Sequence, residues 1–249
     1  MLRARFFSTI AIFSLCLAAA ATAADASGNG STLNVQLECA LDINGRISGE
    51  LEINATGQAG ELLREWVLAL PPAERQTAAG YFLDRIIPGA DILSSDSQYA
   101  EQPPKPVVVS CKFRADIFAA SGKGIIQIPT LLSSELLING HLASLVEIKQ
   151  AETDVVSVDP ATPIEIIFIE NITLPDGYSL RGEGSLAGLE SGPARLRGEL
   201  TGEQNTVKRI LELEISARAI PAEELEDARS VINDFLGWRT DAVAVGGGQ

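Results

Sequence analysis

Between Gly45 and Gly89 the hydrophobic period of this chain changes twice, and that narrows the choice of fold more than any other feature. Ile47, Leu51 and Ile53 recur at period two, with Glu50, Glu52 and Asn54 on the other phase, as in a half-buried strand. After Gly57 the apolar positions become Leu62, Leu63, Trp66, Val67 and Leu70, which share one face of a helix. Pro71 and Pro72 end that helix, since neither offers an N–H and each disfavours helical backbone in the residue before it. A second helix follows, with Ala78, Ala79, Phe82, Leu83 and Ile86 as its apolar face, and Pro88-Gly89 stops it. The spacing predicts a helix pair over about 58–87 whose shared apolar face rests on a sheet.

The flanking sequence supplies the sheet. Thr32 to Leu41 alternates cleanly, and Asn44-Gly45 is a strong hairpin turn signal. Ala90 to Tyr99 and Val107 to Ala115 read as strands, separated by the stiff run Pro103-Pro104-Lys105-Pro106. Ile164 to Ile172 is apolar on both phases, interrupted by Glu165, Glu170 and Asn171, which suggests a central strand. Leu174 to Tyr178 is a turn into an edge-like strand with several glycines, and Ala194–Leu200 with Val207–Ser216 makes a hairpin. A last helix over about 221–236 presents Leu225, Ala228, Val231, Ile232, Phe235 and Leu236. The expected fold is mainly β (α+β), an antiparallel β-sandwich with an inserted helical hairpin and a C-terminal helix.

Residues 1–23 have the form of a secretory signal: Arg3 and Arg5, an apolar run from Phe6 to Leu17, and the small-residue site Ala21-Thr22-Ala23. A periplasmic or secreted protein is expected, cleaved near Ala23, with 24–249 as a single domain and no membrane span in the mature chain. The formal net charge is −14, and losing the two leader arginines makes it more negative. Such a surface repels phosphate backbones, so nucleic-acid binding is not expected.

Two cysteines follow the leader, Cys39 and Cys111, both on the apolar phase of alternating strands. An oxidising compartment favours a disulfide between them. The other reading is two buried free thiols packed as small hydrophobes.

Chemistry is otherwise sparse. His141 is the only histidine and sits after a polar Asn139-Gly140 turn. There is no HExxH, CxxC or Walker A motif, and Gly182-Glu183-Gly184 lacks the strand-to-helix setting that binds phosphate. No catalytic, cofactor-binding or metal-ligating residue is assigned, and no cofactor is expected. Of the two tryptophans, Trp66 lies on a buried helix phase, leaving Trp238 as a candidate platform for a carbohydrate or small ligand.

Four pieces of the chain, GELEINATGQAGELLREWVLALPPAER, LDRIIPGADI, ITLPDGYSL and ARAIPAEELEDARSVINDF, occur in an order that resembles a known family. It is the C-terminal β-sandwich domain of bacterial periplasmic transglutaminase-like proteins, which there follows a papain-like core. Here the leader runs almost directly into the resembling region, so no Cys-His-Asp set carries over to any residue. The resemblance implies a fold and an envelope location rather than an activity. The expected function is a non-enzymatic protein-interaction domain, accessory to a transglutaminase-like or protease-like partner. The alternatives are a carbohydrate- or small-ligand-binding sandwich and an enzyme of unrecognised class.

Overall fold

The computed structural model describes residues 30–116, 119–122, 124–132, 145, 148–149, 155–158, 163–182, 184–216, 219–237 and 243–247. Residues 1–29, on which the expected signal falls, lie outside them, as do His141 and Trp238. The fold is mainly β, with 51% strand and three α-helices among the described residues.

The first half supplies β1 (Ser31–Leu41), β2 (Ile47–Thr56), α1 (Gly57–Ala69), α2 (Ala78–Ile86), β3 (Asp91–Gln98) and β4 (Val107–Ala115). Three short strands, β5 (Ala120–Gly122), β6 (Ile125–Ile128) and β7 (Ile148–Lys149), precede β8 (Val155–Val158). Next come β9 (Ile164–Thr173), β10 (Tyr178–Leu180), β11 (Ser185–Ser191), β12 (Ala194–Glu203) and β13 (Thr206–Ile215). The chain continues with β14 (Ala219–Pro221), α3 (Leu225–Gly237) and β15 (Val243–Gly247).

Eight strands form one large sheet in the order β11-β12-β13-β9-β1-β2-β4-β3. A four-stranded sheet, β10-β15-β6-β5, and a three-stranded one, β14-β8-β7, accompany it. The large sheet is mixed rather than antiparallel. β1 and β9 run parallel, from Ser31 opposite Ile164 to Ala40 opposite Thr173. A parallel pair cannot be closed by a tight turn, and here everything from β2 to β8 lies between its two strands in sequence. The central position expected for Ile164–Ile172 is observed, since β9 and β1 are the two middle strands.

One face of the large sheet carries the core. Leu33, Val35 and Leu37 from β1 join Leu51 and Ile53 from β2, Val109 and Phe113 from β4, Ile166 and Phe168 from β9, and Leu213 from β13, all buried. The expected helix pair covers one half of this face: α1 packs on β1, β2 and β4, and α2 packs on β2, β3 and β4. The other half is covered by α3, which packs on β11, β12 and β13, and by β10, which packs on β12 and β13.

Two local devices fix the first hairpin and the helix that follows. At the turn, Gly45 has φ +79° and its N–H bonds the Asp42 carbonyl, while the Asp42 carboxylate accepts the N–H groups of Asn44 and Arg46. A non-glycine residue would be strained there, and its Cβ would come within 2.3 Å of the Ala119 carbonyl oxygen. The N-terminus of α1 has no cap from its own N-cap residue, Thr56. Ser31, the first residue of β1, accepts the Ala59 N–H at 2.8 Å instead and donates to the Thr56 carbonyl. Ser31 precedes the strand that the sequence alternation marks from Thr32, yet it is buried as a cap for a helix it does not belong to.

Candidate binding face and a buried ion pair

Among the described residues the inner face holds one buried ion pair. Glu170 on β9 and Arg209 on β13 stand directly opposite each other in the register, both pointing into the core. Arg209 Nη1 donates to Glu170 Oε2 at 2.7 Å and to the Pro129 carbonyl at 2.9 Å, and Nη2 donates to the Ile128 carbonyl at 3.1 Å. Glu170 Oε1 accepts the backbone N–H groups of Leu131 and Leu132. Between them the two side chains satisfy four backbone groups of residues 128–132, the segment that leaves β6. The pair therefore fastens the four-stranded sheet to the large one. A small cavity of about 20 Å³ adjoins it, lined by Thr130, Leu132, Phe168 and Leu211 among others, with room for about one water.

The sequence does not announce this pair. Glu170 reads in sequence as an interruption near the rim of a strand, and nothing marks Arg209 as its partner 39 residues on. The available signal was parity: Glu170 shares its phase with Ile164, Ile166, Phe168 and Ile172, all buried.

Cys39 and Cys111 are free, buried thiols. The expected disulfide is not formed, because the sheet order puts β2 between their strands. Cys39 is opposite Gly49 and Gly49 is opposite Phe113, whereas Cys111 is opposite Leu51. Two strand spacings alone separate the Cα atoms by about 9–10 Å, beyond the roughly 7 Å limit of a bridge. Burial pushes the Cys39 thiol up, and the charges of Glu170 and Glu38 push it further. Cys111 is raised to about 11 by burial and then by Glu50. Both thiols thus stay protonated in the fold while those of an unfolded chain ionise near pH 9. The stability they contribute is complete below about pH 9 and is lost as the pH rises beyond it. At pH 8 a thiol reagent should leave both groups of the native mature protein unmodified and should titrate two in denaturant. Rapid modification of either one in the native protein would contradict this account.

A larger recess, about 320 Å³, lies beside the end of α1 and is lined by Val67, Pro72, Arg75, Ser97, Tyr99 and Gln102 among others. Its guanidinium is already engaged. Arg75 donates to the Leu68 and Leu70 carbonyls at the C-terminal end of α1 and pairs with Glu101 at 3.3 Å.

The opposite face of the large sheet is different. No outward-pointing residue of β1, β2, β4, β9, β12 or β13 is buried. Three of them, Ile167 and Ile169 on β9 and Ile210 on β13, form a contiguous apolar trio, with Ile210 directly opposite Ile169. Around the trio, cross-strand rows place Glu165 opposite Glu214, Glu212 opposite Ile167, Glu199 opposite Ile210, and Gln36 between Ile169 and Glu52. The crowding is felt electrostatically. Partial burial, and then the charges of Glu212 and Glu214, hold the Glu165 carboxyl above its ordinary range. Partial burial and Glu50 do the same to Glu52. Lys112 lies 3.9 Å from Glu50, and Arg197 pairs with Glu199 at 2.8 Å. Arg195 and Arg197 also stand opposite Glu214 and Glu212, and Lys208 is two residues from Ile210 on the same side, so the rim keeps a small excess of acid.

Trp66 is half-buried against the core, with edge-on contacts to Phe82 and Tyr81 at ring-centroid distances of 4.8 and 6.0 Å. Trp238, the candidate ligand platform, and His141 lie outside the described residues. Among the described residues no group of three or more His, Cys, Asp and Glu side chains is placed to hold a metal ion. No helix among them is long and apolar enough to cross a membrane.

No family model and no curated protein matches the chain. A crystal structure from Parabacteroides distasonis, described as a "putative protease", overlaps 51% of this chain and 24% of its own at 12% identity and a TM-score of 0.37. That overlap is too shallow to carry an argument about fold or activity.

Proposed function

We propose that this chain is a non-enzymatic protein-interaction domain that works outside the cytoplasm after its leader is removed. It binds its partner through the uncovered face of the eight-stranded sheet. The observation that carries the reading is the trio Ile167, Ile169 and Ile210, an apolar centre on a mostly polar face, bordered by Glu165, Glu199, Glu212 and Glu214 on one side and by Asn34, Gln36 and Lys208 on the other. An apolar centre within a charged rim is how protein interfaces are built, with the centre supplying affinity and the rim supplying orientation and partner choice. The partner should present an apolar patch bordered by lysine or arginine. The family resemblance of the sequence points to a separately encoded transglutaminase-like or protease-like core as that partner.

The test compares the immobilised mature protein with an Ile169→Lys/Ile210→Lys variant in an envelope extract. Both positions are half-buried and face outward, so the variant should keep its fold. A protein retained by the wild type, released by moderate salt and lost with the variant would support the reading. Equal retention by both proteins, or retention of nothing by either, would overturn it.

A further inference from the structure

The two edges of the large sheet are built differently. β3, at one end, carries a register break between Ile92 and Ser94 and two aspartates, Asp91 and Asp96, which discourage another strand from pairing. β11, at the other end, is paired with β12 through seven consecutive residues without a break. It contains no proline, lysine or bulge, and its only charge is Glu190. Its outer edge offers a row of backbone N–H and C=O groups to solvent. Leu186 is 73% exposed and Leu189 40% exposed; β3 exposes Ile92 and Leu93 as well, but on a strand whose register breaks at that point.

Charge selects what can pair with this edge. The chain as a whole carries −14, so two copies repel across most of their surfaces. At β11 the local balance is even: Glu190 lies opposite Arg195, and Gly188 lies opposite Arg197, which is paired with Glu199. A second copy therefore meets no excess of like charge along this edge.

We propose that a second copy of this chain adds to β11 in antiparallel fashion about a two-fold axis at Gly188, joining two eight-stranded sheets into one. The two-fold satisfies both edges at once and closes the assembly, so no free strand is left to propagate it. Gly188 is the middle residue of the strand, and centring there pairs all seven residues. Ser185 then faces Ser191 of the other copy, Leu186 faces Glu190, and Ala187 faces Leu189. Ala187 and Leu189 point to the inner side, where α3 packs, so the exposed part of Leu189 is covered by the other copy's Ala187. Leu186 lies along the aliphatic stem of Glu190.

Sedimentation equilibrium of the mature protein across the micromolar range should show a reversible dimer. Leu186→Glu, at an exposed position, puts a carboxylate opposite Glu190 of the other copy at both symmetry-related positions, and should weaken dimerisation at least about tenfold while changing the melting temperature of the monomer little. Gly188→Cys gives an independent reading of the register. Directly opposed residues of an antiparallel pair have Cα atoms about 4.5–5.5 Å apart, within reach of a disulfide. A Cβ at this position meets nothing nearer than the Leu196 carbonyl oxygen at 3.7 Å, so the substitution is sterically mild. The variant should form a disulfide-linked dimer under mild oxidation, and the wild type, whose two thiols are buried, should not. A monomer throughout that range would overturn the proposal. So would a dimer that is indifferent to Leu186→Glu and is not trapped by Gly188→Cys.

Discussion

Replacing Arg209 by methionine should cost about 3–5 kcal/mol of stability, an effect large for a single polar position. The substitution keeps an aliphatic stem but removes the partner of Glu170, a carboxylate buried to 2% exposure. It also strips the Ile128 and Pro129 carbonyls of their donors. An unpaired charge in a core is far more costly than the net worth of the pair, because the pair's attraction is spent largely on its own desolvation. For a domain of this size the loss corresponds to a melting temperature lower by about 6–20 °C. Adding Glu170→Gln to the Arg209→Met background should return part of the loss, since a neutral amide no longer needs a counter-charge and its oxygen can still accept from Leu131 and Leu132. Urea unfolding of the wild type and both variants measures this directly. A single variant within 1 kcal/mol of wild type, or a double variant no better than the single, would show that the pair does not fasten the 128–132 segment.

The second large effect belongs to the last helix. Phe235→Ala should destabilise the protein by about 3–5 kcal/mol, the usual range for removing a buried aromatic ring. Phe235 is fully buried, with its ring centroid 5.8 Å from that of Phe168 on the central strand β9. Val231, Ile232 and Ala228 on the same helix are buried as well, but each is smaller than the ring that reaches the middle of the sheet. The cavity left behind lies under α3, where the sheet cannot collapse into it without disturbing the eight-strand ladder, so little of the cost is recovered by relaxation. Equilibrium unfolding measures the change. A loss below about 1.5 kcal/mol would mean that α3 is held by its other contacts and that Phe235 is not its anchor.

Much of this architecture is legible in the residues themselves. The period change after Gly57 locates α1 and α2, the Asn44-Gly45 turn locates the first hairpin, and the apolar positions of 221–236 locate α3. Each is a short-range property, because a strand or helix with one apolar side announces that side within a few residues of itself. The two-phase run Ile164–Ile172 likewise announces a strand in the middle of a sheet. The sequence does not disclose that β1 lies parallel to β9, that β2 separates Cys39 from Cys111, or that Ser31 caps a helix it does not belong to. Nor does it show that Ile167 and Ile169 face an uncovered side while Glu170 points inward to Arg209. Those facts depend on strand order and direction, which were decided when the sheet closed around residues far apart in the chain. Apolar parity says which side of a strand is apolar, and it is silent about which strand comes to lie beside it. A disulfide, a buried ion pair and an uncovered apolar trio all depend on that second fact, so the tertiary structure alone removed the first, made the second and left the third open.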